Sequence, residues 1–411
     1  MTAVNLNKIQ MQQDVKHMKN IQCKGFMASG VISGLKKNGK KDLGLIYSEV
    51  PANVAGVFTR NKVQAAPVIL DRKRIKTGLC QAFIANSGSA NCCTGDQGMQ
   101  DALLEAGFAA SGLNISEELV LVASTGVIGK PLDPDKIKSA VPDLVKSLSC
   151  DGINDFAQAI MTTDTVPKIV SLKGEIGGCD FNITGVAKGA GMIRPDMATM
   201  LCFIITDVKS ESDFLKEALI SSTNRSFNRI TIDGDTSTND TVLIMANGMS
   251  GVYIDSNSGK EYFQKLLDEL MIKLAKMVVK DGEGATKLVD ITVNNAASEC
   301  DAGKIANTVA NSNLVKTALF GEDANWGRIL AAAGRSGAKL DPDSVDIYFD
   351  NVLMVKNGSG CGDDAEAEAS KILKKPEFTI MLDLKLGNAK ASVLTCDFSI
   401  DYVKINADYR S

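Results

Sequence analysis

An apolar run, Met200 to Ile205, follows a glycine-rich and charged loop, Lys188 to Asp196, near the middle of the chain. The loop needs a flexible backbone, because its glycines favour conformations that other residues avoid. A continuous apolar run of this length is typical of a strand buried on both faces. The pattern therefore predicts a buried strand that the chain enters directly from a flexible polar loop.

Thr199 stands at the junction between this loop and the apolar run. A hydroxyl residue that opens a buried strand in mid-chain suggests a nucleophile that becomes a new N-terminus. In such enzymes the chain cuts itself before the threonine, and the freed α-amine acts as the base for that residue's own hydroxyl. The alternative is an ordinary β-branched residue at a strand start, where threonine is common. The preceding loop favours the nucleophile.

The chain contains one histidine, His17, which lies in a polar N-terminal segment. A triad in which histidine takes a proton from serine or cysteine needs an ordered imidazole beside the nucleophile, and His17 is not expected to supply one. A free α-amine has a pKa of roughly 7.7–8 and is a competent base near neutral pH. The composition thus favours an N-terminal nucleophile over a histidine-dependent triad.

The composition of the 411 residues is ordinary for a globular protein, with 45% apolar and 23% charged residues. A net charge of −4 argues against nucleic-acid binding. No apolar stretch is long enough to span a membrane, and the segment before Cys23 lacks the apolar core of a secretory signal. The ten cysteines form no C-x-x-C pair and the chain has one histidine, so no Cys/His cluster with zinc spacing is present and no metal site is predicted. The predicted location is the cytoplasm.

Apolar runs alternate with glycine-rich loops and a few helices over residues 25–207. Three expected strands each end in a small polar segment, where exposed backbone N–H groups can bind anions or an oxyanion. These strands are Gln81–Ala85 before Asn86–Asn91, Leu119–Ala123 before Ser124–Gly126, and Ile183–Ala187 before Lys188. A site is therefore expected where these strands end.

The second half of the chain carries clearer helix signals. Ser210 and Asp213 have capping-box spacing, and apolar residues at helical spacing predict a helix over residues 261–280. Gly282 suits a left-handed C-cap, which places Glu283 in a tight loop. From Leu288 onward, short strands and helices alternate and predict a C-terminal α+β domain.

Other motifs carry less information. Lys188–Gly191 lacks the order of a phosphate-binding P-loop. Asp233–Asp240 is dense in carboxylates and hydroxyls; a turn stabilised by its own side chains is the first interpretation, and help in holding a cationic substrate is the second. Trp326 is expected to be a packing anchor.

The segment Lys188–Leu201 closely resembles the self-cleavage site of the ornithine acetyltransferases (glutamate N-acetyltransferases) of arginine biosynthesis. Further segments agree in order across most of the chain. They are Val57–Lys62, Ala85–Gly88, Ser124–Gly126, Met161–Thr165, Ser226–Asp240, Asp281–Lys287, Asn325–Arg328 and Asn406–Ser411. The chain departs from the family pattern at Ser89, where asparagine is expected, at Arg194, which adds charge, and in a longer extension before Cys23.

The resemblance implies a layered α/β/β/α sandwich of the self-processing type with an additional C-terminal α+β domain. The domains would be an extension over 1–22, a catalytic core over 23–284 and the C-terminal domain over 285–411. Cleavage between Ala198 and Thr199 would give an α chain, 1–198, and a β chain, 199–411. These chains would stay together as an α2β2 heterotetramer.

The implied reaction moves an acetyl group from N-acetylornithine to glutamate through an acetyl ester on Thr199, with ping-pong kinetics. Thr125 and Gly126 would form the oxyanion hole. The substrate-binding residues would be Thr162, Lys188, Thr199, Glu283, Asn406 and Ser411, with Thr163 and Thr165 as close alternatives to Thr162.

The resemblance implies no cofactor, although acetyl-CoA is an alternative acetyl donor that would make the enzyme bifunctional. Two other functions stay open from the sequence: an aminopeptidase or amidase on the same self-cleaving scaffold, and a non-catalytic small-molecule binder.

Overall fold

The structure is a computed structural model that describes residues 23–194 and 200–408. Within these ranges the chain forms eleven α-helices and fourteen β-strands, and the strands lie in two sheets. The described residues divide into two compact units, a larger one of residues 23–194, 200–228 and 235–278 and a smaller one of residues 229–234 and 279–408. The boundary predicted from the sequence lies after residue 284, and it keeps residues 229–234 in the core.

The larger unit contains the strands that precede and follow the predicted cleavage point in the sequence. Its elements are β1 Phe26–Val31, β2 Leu43–Phe58, α1 Ala66–Arg74, β3 Leu79–Ser89, α2 Gly95–Leu113, β4 Val120–Val127, α3 Pro134–Lys146, α4 Ile153–Ala159, β5 Lys168–Ile176, β6 Cys179–Lys188, β7 Leu201–Thr206, α5 Ser212–Arg225, β8 Thr241–Ala246 and α6 Asn257–Lys280. The described strands pair in the order β4-β3-β2-β8-β7-β6-β5, and β1 adds to β2. The β3–β4 and β7–β8 pairs are parallel.

This sheet folds over into two layers at the long strand β2. The register of β2 against β3 shifts between Tyr47 and Ala52. Leu43–Tyr47 pairs with both β1 and β3, Ala52 and Asn53 pair with β3 after the shift, and Asn53–Phe58 pairs with β8. In a flat sheet β3 and β7 would lie about 14 Å apart, three strand spacings. Phe83 of β3 and Phe203 of β7 instead have ring centroids 5.6 Å apart, so the two layers pack face to face.

Helices cover the outer faces of both layers. Apolar residues of α1, α2 and α3 form one buried cluster with the outer side of β3 and β4. On the other layer, a Cβ on Gly185 of β6 would lie 2.7 Å from Leu270 of α6, so helix and strand are in close contact there. Phe156 of α4 contacts Phe203 edge-on between the layers, with centroids 5.1 Å apart. The larger unit is therefore an α/β/β/α sandwich, which confirms the predicted layered fold.

The predicted strands are present, but three of them extend through segments that the sequence assigned to loops. β3 runs to Ser89, β4 runs to Val127, and Lys188 is the last residue of β6. The parallel register between β3 and β4 continues through Ser87 opposite Thr125. Backbone pairing therefore extends through these polar residues, which the hydropathy pattern could not show.

The predicted buried strand after the cleavage loop is confirmed, since every residue of β7 is buried. The predicted helix over 261–280 is also confirmed and begins earlier, at Asn257. The prediction of a capping box at Ser210 is wrong. The N-cap of α5 is Glu211, and no side chain caps that helix.

The smaller unit is an α+β domain, as the alternation of short strands and helices predicted after Leu288 indicated. Its elements are β9 Leu288–Ala296, α7 Glu299–Ala310, α8 Asn313–Phe320, α9 Trp326–Gly334, β10 Asp346–Phe349, β11 Val352–Lys356, β12 Ser359–Gly360, α10 Asp363–Leu373, β13 Glu377–Asp383, β14 Ala389–Cys396 and α11 Ile400–Ala407. The described strands pair in the order β12-β11-β10-β13-β9-β14. Across the described ranges, no helix combines the length and the apolar character needed to cross a bilayer.

Candidate active site

Three predicted functional residues, Ala198, Thr199 and Ser411, lie outside the described residues. Met200, which follows Thr199, is described and is 2% exposed. Its N–H donates to Oδ1 of Asp240 at 3.0 Å, and its carbonyl accepts from the N–H of Thr241 at 3.1 Å. The chain that leaves the predicted cleavage point is thus hydrogen-bonded at once to the start of β8.

Lys188 brings together three of the predicted site residues. It is 3% exposed at the end of β6, and its Nζ donates to Oγ1 of Thr125 at 3.1 Å and to Oγ1 of Thr162 at 3.0 Å. The antiparallel register places Lys188 opposite Leu201, close in sequence to Thr199. An amine and two hydroxyls from three separate parts of the chain therefore meet beside the start of β7. Their roles toward a substrate stay predictions.

Asp164 organises the loops on either side of this cluster, and no pattern in the sequence pointed to it. Its Oδ1 accepts from Nζ of Lys168 at 2.6 Å and from the N–H of Gly189 at 2.7 Å, and its Oδ2 accepts from the N–H of Thr162 at 3.0 Å. Burial alone would raise the pKa of Asp164, but the charges of Lys168 and Lys188 and these hydrogen bonds hold it well below its usual range. Asp164 is therefore a buried carboxylate that positions Thr162 and Gly189.

A second lysine lies near Lys188 and was also missed. Nζ of Lys36 donates to the carbonyl of Met161 at 2.6 Å and to that of Lys41 at 2.9 Å. Burial lowers the pKa of Lys36 to about 8; the charge of Asp42 opposes that shift and the charge of Lys188 adds to it. Lys36 lies far from Met161 in the sequence, so no local pattern could pair the two.

The strand ends that carry Thr125 and Gly126 are closely packed. Thr125 is 5% exposed. Gly126 has φ +134°, and a Cβ there would lie 2.6 Å from the carbonyl carbon of Gly88 and 2.7 Å from the nitrogen of Ser89. Only glycine fits such a position without displacing backbone. The polar ends of β3 and β4 thus approach each other more closely than side chains would allow. Their use as an oxyanion hole stays a prediction.

The smaller unit holds a second group of predicted residues. Glu283 is 7% exposed, and its Oε2 accepts from Nδ2 of Asn406 at 2.8 Å. Gly284 has φ +67°, and a Cβ there would lie 2.5 Å from the nitrogen of Tyr402, so the loop packs tightly against the start of α11. The left-handed residue of this loop is therefore Gly284. The prediction of a left-handed Gly282 is wrong, since its φ is not positive.

The α/β/β/α sandwich, with a buried lysine, two hydroxyls and a glycine-lined strand end near the start of β7, fits the class of acyl-transferring enzymes. Comparison with known proteins is more specific. The ArgJ family model matches residues 27–411, and the chain belongs to that family. The arginine biosynthesis bifunctional protein ArgJ of Geobacter sulfurreducens is 52% identical over 390 residues, which cover 94% of this chain and 99% of that protein.

Two solved structures are also similar. The arginine biosynthesis bifunctional protein ArgJ from Bacillus halodurans is 40% identical, with a TM-score of 0.48, and the match covers 50% of this chain and 97% of that chain. The ornithine acetyltransferase from Mycobacterium tuberculosis, solved in complex with ornithine, is 38% identical, with a TM-score of 0.40. That match covers 43% of this chain and 95% of the other.

Proposed function

We propose that this protein transfers an acetyl group from N2-acetyl-L-ornithine to L-glutamate, giving L-ornithine and N-acetyl-L-glutamate. Membership of the ArgJ family supports this activity over the aminopeptidase or amidase alternative. The structural observation that carries it is the contact of Lys188 with Thr125 and Thr162, since these residues were assigned to the site from separate segments.

The chain would first cut itself between Ala198 and Thr199. In the first half-reaction the Thr199 hydroxyl attacks the acetyl carbonyl, and its own α-amine takes the hydroxyl proton. The oxyanion that forms accepts hydrogen bonds at Thr125 and Gly126. It then collapses with transfer of the proton to the departing ornithine amine, which leaves an acetyl ester on Thr199. In the second half-reaction the amine of glutamate attacks this ester, and the hydroxyl is restored.

The two amino acids share an α-carboxylate, for which the Lys188 ammonium is a suitable partner. Thr162 would assist through its hydroxyl. Ornithine differs from glutamate in its δ-ammonium, which needs an acidic partner. Glu283, oriented by Asn406, is proposed for that role, and Ser411 is proposed as a further substrate-binding residue.

The reaction needs no cofactor. Acetyl-CoA is proposed as a second acetyl donor, because an acyl-Thr199 intermediate can be loaded from any activated acetyl group, and the Geobacter relative carries the name bifunctional. We also propose an α2β2 assembly of the cleaved chains in the cytoplasm.

Intact mass spectrometry tests this function. Purified wild-type protein should give two fragments, the second beginning at Thr199, and incubation with N-acetylornithine should add one acetyl group to that second fragment. Thr199→Ala should remain uncut and inactive, whereas Thr199→Ser should be cut and turn over slowly. An intact chain with full acetyltransferase activity would contradict the proposal, as would acetate release that glutamate does not affect.

A further inference from the structure

The segment Ser237–Asp240 lies between the ends of β3 and β4 and the start of β7. Its four residues are between 0% and 6% exposed. The segment leads into β8, which pairs with β7. It belongs to the acidic, hydroxyl-rich stretch that the sequence suggested as a self-stabilised turn, and the proposed reaction gives it no role. A buried polar segment in this position needs hydrogen-bond partners, and those partners identify its function.

Asn239 cross-links the ends of β3 and β4. Its Nδ2 donates to the carbonyl of Ala90 at 2.7 Å and to the carbonyl of Ser124 at 2.8 Å. Carbonyl oxygens can only accept, so the amide nitrogen must face both of them. Its Oδ1 accepts from the hydroxyl of Thr238 at 2.6 Å, which fixes the orientation of the amide.

The bond to Ser124 has a direct consequence for Thr125. The carbonyl of Ser124 and the N–H of Thr125 belong to the same planar peptide group. A hydrogen bond that holds the carbonyl therefore also sets the direction of that N–H. Thr125 is a predicted oxyanion-hole residue, and such donors are effective only when they are oriented in advance.

Asp240, the next residue, binds the chain at the start of β7. Its Oδ1 accepts from the N–H of Met200 at 3.0 Å, and that N–H belongs to the peptide group that joins Thr199 to Met200. Burial raises the pKa of Asp240 well above its usual range, while the hydrogen bonds from Met200 and Thr59 and the charge of Lys188 oppose that shift. The segment is itself held by Thr59, whose hydroxyl donates to the carbonyl of Ser237 at 2.7 Å and whose N–H donates to the carbonyl of Asp240 at 2.9 Å.

We propose that Asn239 and Asp240 are positioning residues that together set the spacing between the oxyanion hole and the nucleophile. Adjacent side chains of one anchored segment bind the carbonyl of Ser124, which precedes Thr125, and the N–H of Met200, which follows Thr199 in the chain. The inference rests on the proposed function, which supplies the roles of those two threonines. Both half-reactions pass through an oxyanion at the same place, so loss of this spacing slows both.

Replacement of Asn239 tests the oxyanion side. For Asn239→Ala, kcat falls about 100-fold, because misplacement of reacting groups by about 1 Å costs that much. The KM values for N-acetylornithine and glutamate stay near those of the wild type, since ground-state contacts are unchanged. In single-turnover measurements, formation and breakdown of the acetyl-enzyme slow by the same factor.

Asn247→Ala is the matched control. Asn247 follows the opposite end of β8, and its Nδ2 donates to the carbonyl of Lys24 at 2.9 Å and to the hydroxyl of Ser48 at 3.3 Å. The variant also loses two hydrogen bonds of the side-chain amide, from a half-buried position, and its kcat stays at the wild-type value. If Asn239→Ala does not fold, Thr238→Val releases the Asn239 amide without loss of volume and lowers kcat several-fold.

Asp240 tests the nucleophile side. Asp240→Ala slows both self-cleavage and turnover, whereas Asp240→Asn keeps the acceptor for Met200 and restores both. Suppose that the wild type is cleaved and active. The positioning role is then overturned if Asn239→Ala has the same kcat as Asn247→Ala, or if it slows only one of the two half-reactions. It is also overturned if Asp240→Asn fails as severely as Asp240→Ala. A wild type that neither cuts nor transfers acetyl overturns the proposed function, and the positioning role with it.

Discussion

At the scale of single residues, the site depends on positions where an added Cβ atom would displace the neighbouring backbone. Gly126 is such a position, because β3 and β4 approach each other at the point where the predicted oxyanion donors lie. Glycine there is required by geometry as well as by chemistry. The Ser124–Gly126 motif therefore combines a packing constraint with a functional prediction.

Substitution of Gly126 by alanine should lower kcat about 100-fold and destabilise the fold. The added Cβ would meet backbone atoms of Gly88 and Ser89, so the oxyanion donors must move. Gly129→Ala is the matched control: its φ is +78°, and a Cβ there meets nothing within 4 Å. It should lose roughly 1 kcal/mol of stability from the left-handed backbone and keep its activity. Thermal unfolding with steady-state kinetics measures both, and equal kinetic losses would contradict the role of close packing.

At the scale of secondary-structure elements, a single buried ion pair connects three of them. Asp164 follows α4, Lys168 opens β5, and Gly189 follows β6. Both side chains of the pair are 0% exposed. A buried pair of this kind contributes little net stability as a unit, but removal of one partner leaves the other charge without compensation.

Lys168→Met should destabilise the protein by about 3–5 kcal/mol at pH 7. The depressed pKa of Asp164 contributes stability that is present above the unfolded value near 3.9 and is lost as the pH falls through the lower folded value. Without Lys168 the pKa of Asp164 in the folded state rises, so the variant loses less unfolding free energy than the wild type when the pH is lowered. The difference in unfolding free energy between wild type and variant should therefore shrink as the pH falls from about 4 toward 2 in urea titrations.

Lys173→Met provides the control on the same strand. Lys173 pairs with Asp180 on the surface, with side chains 64% and 56% exposed, and exposed pairs of this kind contribute little. The loss of unfolding free energy in Lys173→Met should be small and should not vary with pH. A Lys168→Met variant as stable as Lys173→Met would show that Asp164 does not depend on its buried partner.

At the scale of the whole molecule, the predicted cleavage point divides the strands of one sheet. β1 to β6 precede Thr199 in the chain, and β7 and β8 follow it. Yet β8 pairs with β2 through Asn53–Phe58, and β7 pairs with β6 through Ile183–Lys188. Two backbone ladders and a shared apolar core would therefore join the fragments after cleavage.

The two fragments should consequently elute together in native size-exclusion chromatography and separate only in denaturant. Separation would expose unpaired edges of the central strands and the apolar surface between the layers, which is strongly unfavourable. Uncut Thr199→Ala protein gives the reference elution volume. Fragments that separate under native conditions would contradict the interleaved sheet.

The sequence by itself determined the elements whose signal is local. The apolar run of β7, the helical spacing of α6 and the alternating texture after Leu288 each predicted the element that forms, because burial of one face or of both leaves a periodic pattern in the chain. The ordered motifs also determined the family. These motifs named Thr125, Thr162 and Lys188, which the structure brings into contact.

Only the tertiary structure decided which polar groups face one another. Asn239 contacts Ala90 across 149 positions of sequence, and Lys36 contacts Met161 across 125. Such pairs depend on strand register and on the fold of β2, which no local pattern encodes. Asp164, Asn239 and Asp240 thus looked like ordinary polar residues in the sequence. Their roles follow from the backbone groups beside them in the folded sheet.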